Sequence, residues 1–462
     1  MSKPLTTQSL AHAFSQPEDT AWQALAEKAL KGASLDTLNS KTEDKTAIKP
    51  LYPAGNAQSV SGRGGGERWD IVARIDDPDL ARANTQALDD LEGGVSALSL
   101  VVRDAVSSGG YGFEPTAEAF DRVLERVHLH MINLRLEPHP KARRTALVFA
   151  DTIAKHAEDK LPPVRFGLDP IGNFARYGIL NAWENVEAAM NETVAGLTSR
   201  GFEGAFFEAD GRAYHDAGAT PAQELAAIIA TANAYLRAGI DPNQIGFTLA
   251  VDQDQFAGIA KIRALRLLWA KVTEVWKAPA GRAAIHAETS RRMLTVKDPH
   301  TNMLRVTIAC FAASVGGADS IAVLPYSAPH GLSDAFARRV ARNTQLVLQE
   351  EANLYKVADP AAGSGAYEAL TEDLTQAAWT EFQTIEAAGG IVNALQSGSL
   401  QARISSAHAA RMAAIDAGET HIIGTTKFGL AKEPTVETLD VEKWPEPSFK
   451  RHDLTSEALR PV

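Results

Sequence analysis

The 462-residue chain has a single cysteine, Cys310, which excludes a disulfide framework and a thiolate zinc site. Set inside a helical pattern, Cys310 reads as a small buried apolar residue. No run of about 18 apolar residues occurs, and no basic segment leads into an apolar one at the N-terminus. The expectation is a cytoplasmic protein with no membrane span and no secretory signal. Positive charge is also scarce: the net charge of -11 argues against nucleic acid, because phosphate binding needs clustered Lys and Arg to displace counterions. There is no G-x-x-x-x-G-K-[ST] loop, and Arg63 to Gly66 does not lie between a strand and a helix as phosphate cradling requires. A G-x-S-x-G elbow and internal repeats are missing as well.

The hydrophobic share of 45% and charged share of 22% are ordinary for a chain that buries a core. Glu18 to Leu30 carries apolar residues at helical spacing and Gly32 can cap it. Ile48 to Tyr52 then leads to the glycines Gly62, Gly64, Gly65 and Gly66. Residues 1–75 therefore read as an N-terminal arm suited to subunit contact.

From Asp76 strands and helices alternate, the mark of a parallel sheet made of βαβ units. The clearest unit starts at Thr220, which with Gln223 has capping-box spacing, and Pro221 takes the first helical position. Gly239 can end that helix and Ile245 to Val251 comes next as a buried strand. Counting units gives strands near Ala97 to Arg103, His128 to Leu136, Val164 to Leu168, Ala205 to Ala209, Ile245 to Val251, Ala283 to Ala287, Ser320 to Leu324 and Tyr355 to Ala358. Eight such units predict a parallel (β/α)8 TIM-type barrel over residues 76–364, with an open doubly wound sheet as the alternative that periodicity leaves standing. Residues 365–462 read as a helical appendage that ends in an extended tail.

Barrel enzymes work at the C-terminal ends of their strands. Those segments here carry Asp169, Asp210, Tyr214, His215, Asp252, Asp254, Glu288, Arg291, Arg292, Tyr326, His330 and Asp359. His128 and His130 form an H-x-H pair whose imidazoles would share one face of a strand. A metal-dependent barrel hydrolase would need further ligands, of which His215 alone is suggestive, so no metal site is expected.

Several stretches resemble the methylmalonyl-CoA mutase family in order along residues 200–430. They are Tyr214-His215-Asp216-Ala217-Gly218 with Gln223-Glu224-Leu225-Ala226, then Ala260-Lys261-Ile262-Arg263-Ala264, then Ala341-Arg342-Asn343-Thr344-Gln345. Asp359-Pro360 and Ile385-Glu386-Ala387-Ala388-Gly389-Gly390 continue the series. The resemblance implies a radical isomerisation of methylmalonyl-CoA and succinyl-CoA with adenosylcobalamin, and it places Tyr214 and His215 where the family's histidine donates to the thioester carbonyl. Glu288 and Asp254 fall in segments that would face substrate, although a carboxylate at 288 repels an acidic acyl-CoA. The family's histidine-bearing stretch after strand seven has no counterpart in Ile321 to Tyr326. The D-x-H-x-x-G motif of the cobalamin module is also missing, since Asp298-Pro299-His300 runs on to Met303. These departures match the family's small subunit, without the C-terminal cobalamin-binding domain. They imply a heterodimer in which a large catalytic chain binds adenosylcobalamin and this chain supports it. An active acyl-CoA mutase that uses a separate cobalamin-binding protein is the alternative.

Overall fold

A computed structural model describes residues 19–55, 59–60, 62–157, 160–178, 180–278 and 281–445. The chain divides into two compact units, residues 1–53 and 54–462. In the first, a helix over Asp19–Ala29 ends at Lys31 and Gly32, both with positive φ. A two-residue antiparallel pairing joins Ser40–Lys41 to Ala47–Ile48.

The second unit is a (β/α)8 barrel. Its strands are β1 (Asp70–Ile75), β2 (Ala97–Leu100), β3 (Asn133–Leu136), β4 (Val164–Arg165), β5 (Phe207–Asp210), β6 (Ile245–Val251), β7 (Ala284–Thr289) and β8 (Ser320–Ala322). All pairs are parallel, in the order β4-β3-β2-β1-β8-β7-β6-β5. The ring closes through Leu168, whose N–H donates to Phe206 (3.1 Å) and whose carbonyl accepts from Glu208 (3.0 Å). The open doubly wound alternative is thereby excluded.

The first strand differs from the sequence expectation. It is Asp70–Ile75, within the segment read as arm, whereas Leu354–Lys356 forms a 3-10 turn and not an eighth strand. Arg74 interrupts the apolar pattern of β1 and hid it; the guanidinium is buried and satisfied by Glu288, 214 residues away. Each later strand is therefore one place further round the barrel. The glycine-rich connection also holds more structure than expected, because Arg63 within it is buried and donates to the Ser314 carbonyl (2.6 Å).

Helices alternate with the strands: α1 (Leu80–Glu92), α2 (Ala117–Val123), α3 (Ala142–His156), α4 (Pro170–Tyr177), α5 (Trp183–Thr198), α6 (Arg212–Asp216), α7 (Pro221–Arg237), α8 (Gln255–Trp276), α9 (Thr301–Val315) and α10 (Ala335–Leu346). At the start of α7 both arms of the Thr220–Gln223 capping box form, so two N–H groups that the helix cannot pair internally are satisfied. Leu225, Ile228, Ile229 and Ala232 of α7 are fully buried against the barrel wall. Beyond the barrel, α11 (Gly365–Ala387) packs on α7 and α8, and α12 (Ile391–Gln396) and α13 (Ser399–Asp416) come after it. No helix among the described residues is long and apolar enough to cross a membrane.

Candidate functional site

The barrel axis is where this protein departs from the common layout. TIM barrels usually fill the interior with branched apolar side chains. Here the inward positions of the strands present Arg74, Ser99, Arg135 and Arg165 in one register and Asp210, Thr248 and His286 in another, with Glu208 and Glu288 two residues away on β5 and β7. Arg212, just past β5, reaches Asp210 (2.6 Å), Glu137 (2.5 Å) and Glu288 (3.2 Å). Arg74 meets Glu288 at 2.5 Å, and Arg135 spans Glu137 (3.1 Å) and Glu208 (3.4 Å). Arg165 completes the set 3.5 Å from Glu208. Four guanidiniums thus face four carboxylates, and the lattice continues from Arg74 through Asp76 (3.9 Å) to Arg338.

The lattice shapes the local sequence. A Cβ at Gly246 on β6 would lie 2.0 Å from an Arg165 nitrogen, so a side chain there would displace the guanidinium. Burial opposes ionisation of Glu137, but Arg212, Arg135 and Arg74 outweigh it and hold the carboxyl well below its usual range. Hydroxyls add to the coordination: Ser99 and Ser107 donate to Glu137 (2.5 and 2.9 Å), and Thr248 donates to Glu208 (2.6 Å), while Glu208 Oε2, Arg135 Nη1 and Arg212 Nη1 stay without a hydrogen-bond partner.

Tyr214 and His215 lie on α6, after the fifth strand, with both side chains buried. His215 Nε2 sits 2.7 Å from the Ser290 hydroxyl, and Nδ1 lies 3.4 Å from Glu224, which is itself ion-paired to Lys261 (2.6 Å). Burial, then Arg292 and Lys261, push the imidazole well below its ordinary pKa, so it is neutral. Tyr214 points into a different environment: burial and the Asp169 carboxylate raise its phenol above the usual range. The structure therefore brings Tyr214, His215 and Glu288 to one end of the barrel, with Glu288 spent on Arg74 and Arg212.

Asp254 stands apart from that cluster as the exposed N-cap of α8, accepting from the Ala257 N–H (3.0 Å). Replacing Asp254 with alanine should therefore cost about 1 kcal/mol of stability, read as a small fall in the urea midpoint, and leave turnover of any assembly containing the chain unchanged. A loss of turnover beyond tenfold in D254A with the fold intact would assign it a role in the chemistry instead. Asp359, expected at a strand end, is paired with Arg263 and accepts from the Val60 N–H (2.9 Å). His128 and His130 are not on a strand: they flank and join a 3-10 turn with ring centroids 6.1 Å apart. Among the described residues no group of three His, Cys, Asp or Glu side chains could hold a metal ion.

The rim is tied by the C-terminal segment. Arg305 donates to the Ile423 carbonyl (2.6 Å) and Glu433 accepts from the Asp298 N–H (2.7 Å). Leu439 and Thr438 pair with Leu332 and Ser333. Trp444 then bonds Gly110 (2.8 Å) and Gly112 (2.7 Å) through its backbone and indole N–H, under the Arg103 guanidinium. Loops after β2, β7 and β8 are joined by one strap.

A model of the methylmalonyl-CoA mutase family matches residues 206–455. The small subunit of methylmalonyl-CoA mutase from Streptomyces virginiae is 37% identical over 93% of this chain and 73% of that protein. The chain belongs to the methylmalonyl-CoA mutase family. The small subunit from Propionibacterium freudenreichii subsp. shermanii is 32% identical over 94% of this chain and 72% of its own length. Similarity to a methylmalonyl-CoA mutase large subunit, from Porphyromonas gingivalis, is 35% over half of this chain and 34% of that protein. The probable small subunit from Mycobacterium bovis is 36% identical over 92% of this chain and 71% of that protein. Of this lattice, Asp210 and Glu288 are named from the sequence, while Arg74, Arg135, Arg165, Arg212, Glu137 and Glu208 escape it. Their trace is there as single charged residues at alternate positions of otherwise apolar strands, in D-I-V-A-R-I, N-L-R-L and A-I-H-A-E-T.

Proposed function

We propose that this chain is the small subunit of an adenosylcobalamin-dependent methylmalonyl-CoA mutase, paired as a heterodimer with a large chain that holds the cofactor and performs the isomerisation. The observation that carries this reading is the filled axis. Arg212 and Arg74, two cations placed to receive an anionic acyl group, already hold Glu288. A substrate would have to break buried ion pairs to enter.

The residues present do not fit a corrinoid. The strap from Ile423 to Trp444 ties down the rim, and His300 lies against Tyr326, ring centroids 5.6 Å apart, within a sequence lacking the family's D-x-H-x-x-G pattern. His215 is neutral and bonded to Ser290, a structural role in this chain.

The reading is tested by reconstitution. The purified chain with added adenosylcobalamin should show no interconversion of methylmalonyl-CoA and succinyl-CoA, and it should co-purify with a large mutase chain in equal amounts. In that assembly, His215→Ala on this chain should change kcat less than twofold. Isomerisation by the chain alone, or abolished turnover in the H215A assembly, would favour an active barrel using a separate cobalamin protein.

A further inference from the structure

A cavity of about 630 Å³ lies outside the barrel ring, beside the seam where β4 and β5 meet. Its buried part is apolar: Leu168 and Phe207, the two residues of the closing bridge, form the floor, and Met190 of α5 joins them. Val186 and Ala189 of the same helix are half-buried and carry that wall toward solvent. The size suits a small organic ligand, and mostly apolar walls with a few polar groups are the usual composition of such sites. Tyr214, His215 and Glu288 take no part in its lining.

The titratable groups of the lining differ in what they can offer. His139 donates through Nδ1 to the Glu137 carbonyl (3.0 Å) and accepts at Nε2 from Thr145 (2.8 Å); burial holds the ring neutral, and its own carbonyl accepts from Asn173 (3.0 Å) in the same wall. Asp169 accepts from Tyr235 (2.5 Å) and from the Gly172 (2.8 Å) and Asp210 (3.1 Å) N–H groups. Asp104 lies 3.8 Å from Arg103. Arg143 of α3 is the cation of the lining and stands at its exposed edge, where it pairs across to Glu192 of α5 (2.5 Å), a residue outside the lining. Both side chains of that pair are open to water, 52% and 68% exposed, and exposed pairs of this kind are worth little. A second carboxylate can therefore compete with Glu192 or share the guanidinium with it, since five N–H donors are available. A molecule with an apolar chain and an anionic head would bury the chain in the cavity and leave the head hydrated at Arg143; a cationic head would meet a like charge there.

We propose that this cavity binds an anionic amphiphile of the fatty-carboxylate class, with its chain against Leu168, Phe207 and Met190 and its carboxylate at Arg143. The inference stands on the cavity and its edge and does not depend on the mutase assignment. Isothermal titration of the full chain at pH 8 with decanoate, 1-decanol and decyltrimethylammonium tests it. Decanoate should bind with one-to-one stoichiometry, and the alcohol and the ammonium each about fivefold or more weakly, the weight of one exposed charge contact. Arg143→Gln should weaken decanoate about fivefold and leave decanol unchanged, whereas Glu192→Gln, which removes the competing carboxylate, should tighten decanoate about threefold. Ala189→Phe, which fills the cavity, should abolish decanoate binding without lowering the thermal midpoint. No decanoate binding, decanoate affinity unmoved in both R143Q and E192Q, or binding that survives A189F each overturns the proposal. So does decyltrimethylammonium binding as tight as decanoate, since the head group would then make no contact with Arg143.

Discussion

Replacing Arg212 with methionine should lower the stability of the barrel by about 3–5 kcal/mol, the range seen when one member of a buried charge group is removed. Methionine fills much of the same volume, so the loss would come from charge and not from a cavity. Glu137, Asp210 and Glu288 each lose a guanidinium within 3.2 Å, and all three are buried. Glu288 keeps Arg74 and Glu137 keeps Arg135, which limits the damage; Asp210, whose carboxylate is held by Arg212, bears the largest share of it. Arg212→Lys should fall between wild type and R212M, because one ammonium cannot serve three carboxylates as a planar fork does. Urea unfolding monitored by circular dichroism at pH 7 reads the difference as a shift in midpoint at constant slope. A loss under about 1 kcal/mol, the range of exposed pairs, would mean that the axis is hydrated and open, and the argument for a filled barrel would fail with it.

The same lattice explains which parts of the fold were legible in the sequence. Local signals worked where local chemistry decides the structure. Thr220, Pro221 and Gln223 start α7 as their spacing implies, Gly239 lies just past its end with φ +87°, and Ile245–Val251 is a strand with every residue buried. They failed where a distant partner decides. Arg74 made β1 look like part of a polar arm because Glu288, which makes its burial tolerable, is far away along the chain. Tyr355 to Ala358 offered an apolar pair before an Asp-Pro turn, but Val357 is 58% exposed and finds no sheet to join. The site shows the same division. Tyr214, His215 and Glu288 could be named from their places after strands, but position at the rim does not say which side chains are already bonded to each other. Asp254 could be told from a ligand-facing carboxylate only by its bond to the Ala257 N–H, although Asp three residues ahead of that position is also a cap signal.

Acid sensitivity should begin near pH 6.5, above the carboxylate range, and His139 is the residue that isolates the effect. Burial lowers its pKa from 6.5 to about 4. An imidazole whose folded pKa is depressed favours folding fully above its unfolded pKa, and that contribution is lost as pH falls through the window down to the folded value. Between pH 7 and 4.5 the loss from His139 alone is about 2.5 kcal/mol. Asp169 acts in the opposite sense over much of the same range. Burial pushes its carboxyl up to about 7, so the folded state holds a proton that the unfolded state releases, and stability falls as pH rises from about 4 to 7. Wild-type stability against pH is consequently a sum over these and other buried groups, His215, His286 and Asp216 among them, and does not isolate His139. The difference between wild type and His139→Gln removes the Asp169 contribution, because both proteins carry it. Glutamine can still donate to the Glu137 carbonyl and accept from Thr145 but does not titrate. The advantage of wild type over H139Q should therefore shrink by about 2.5 kcal/mol between pH 7 and pH 4.5, read from paired urea midpoints at each pH. A difference that stays constant across that interval would mean that His139 is reached by solvent and titrates near its ordinary value, and that the wall it forms beside Asn173 is open.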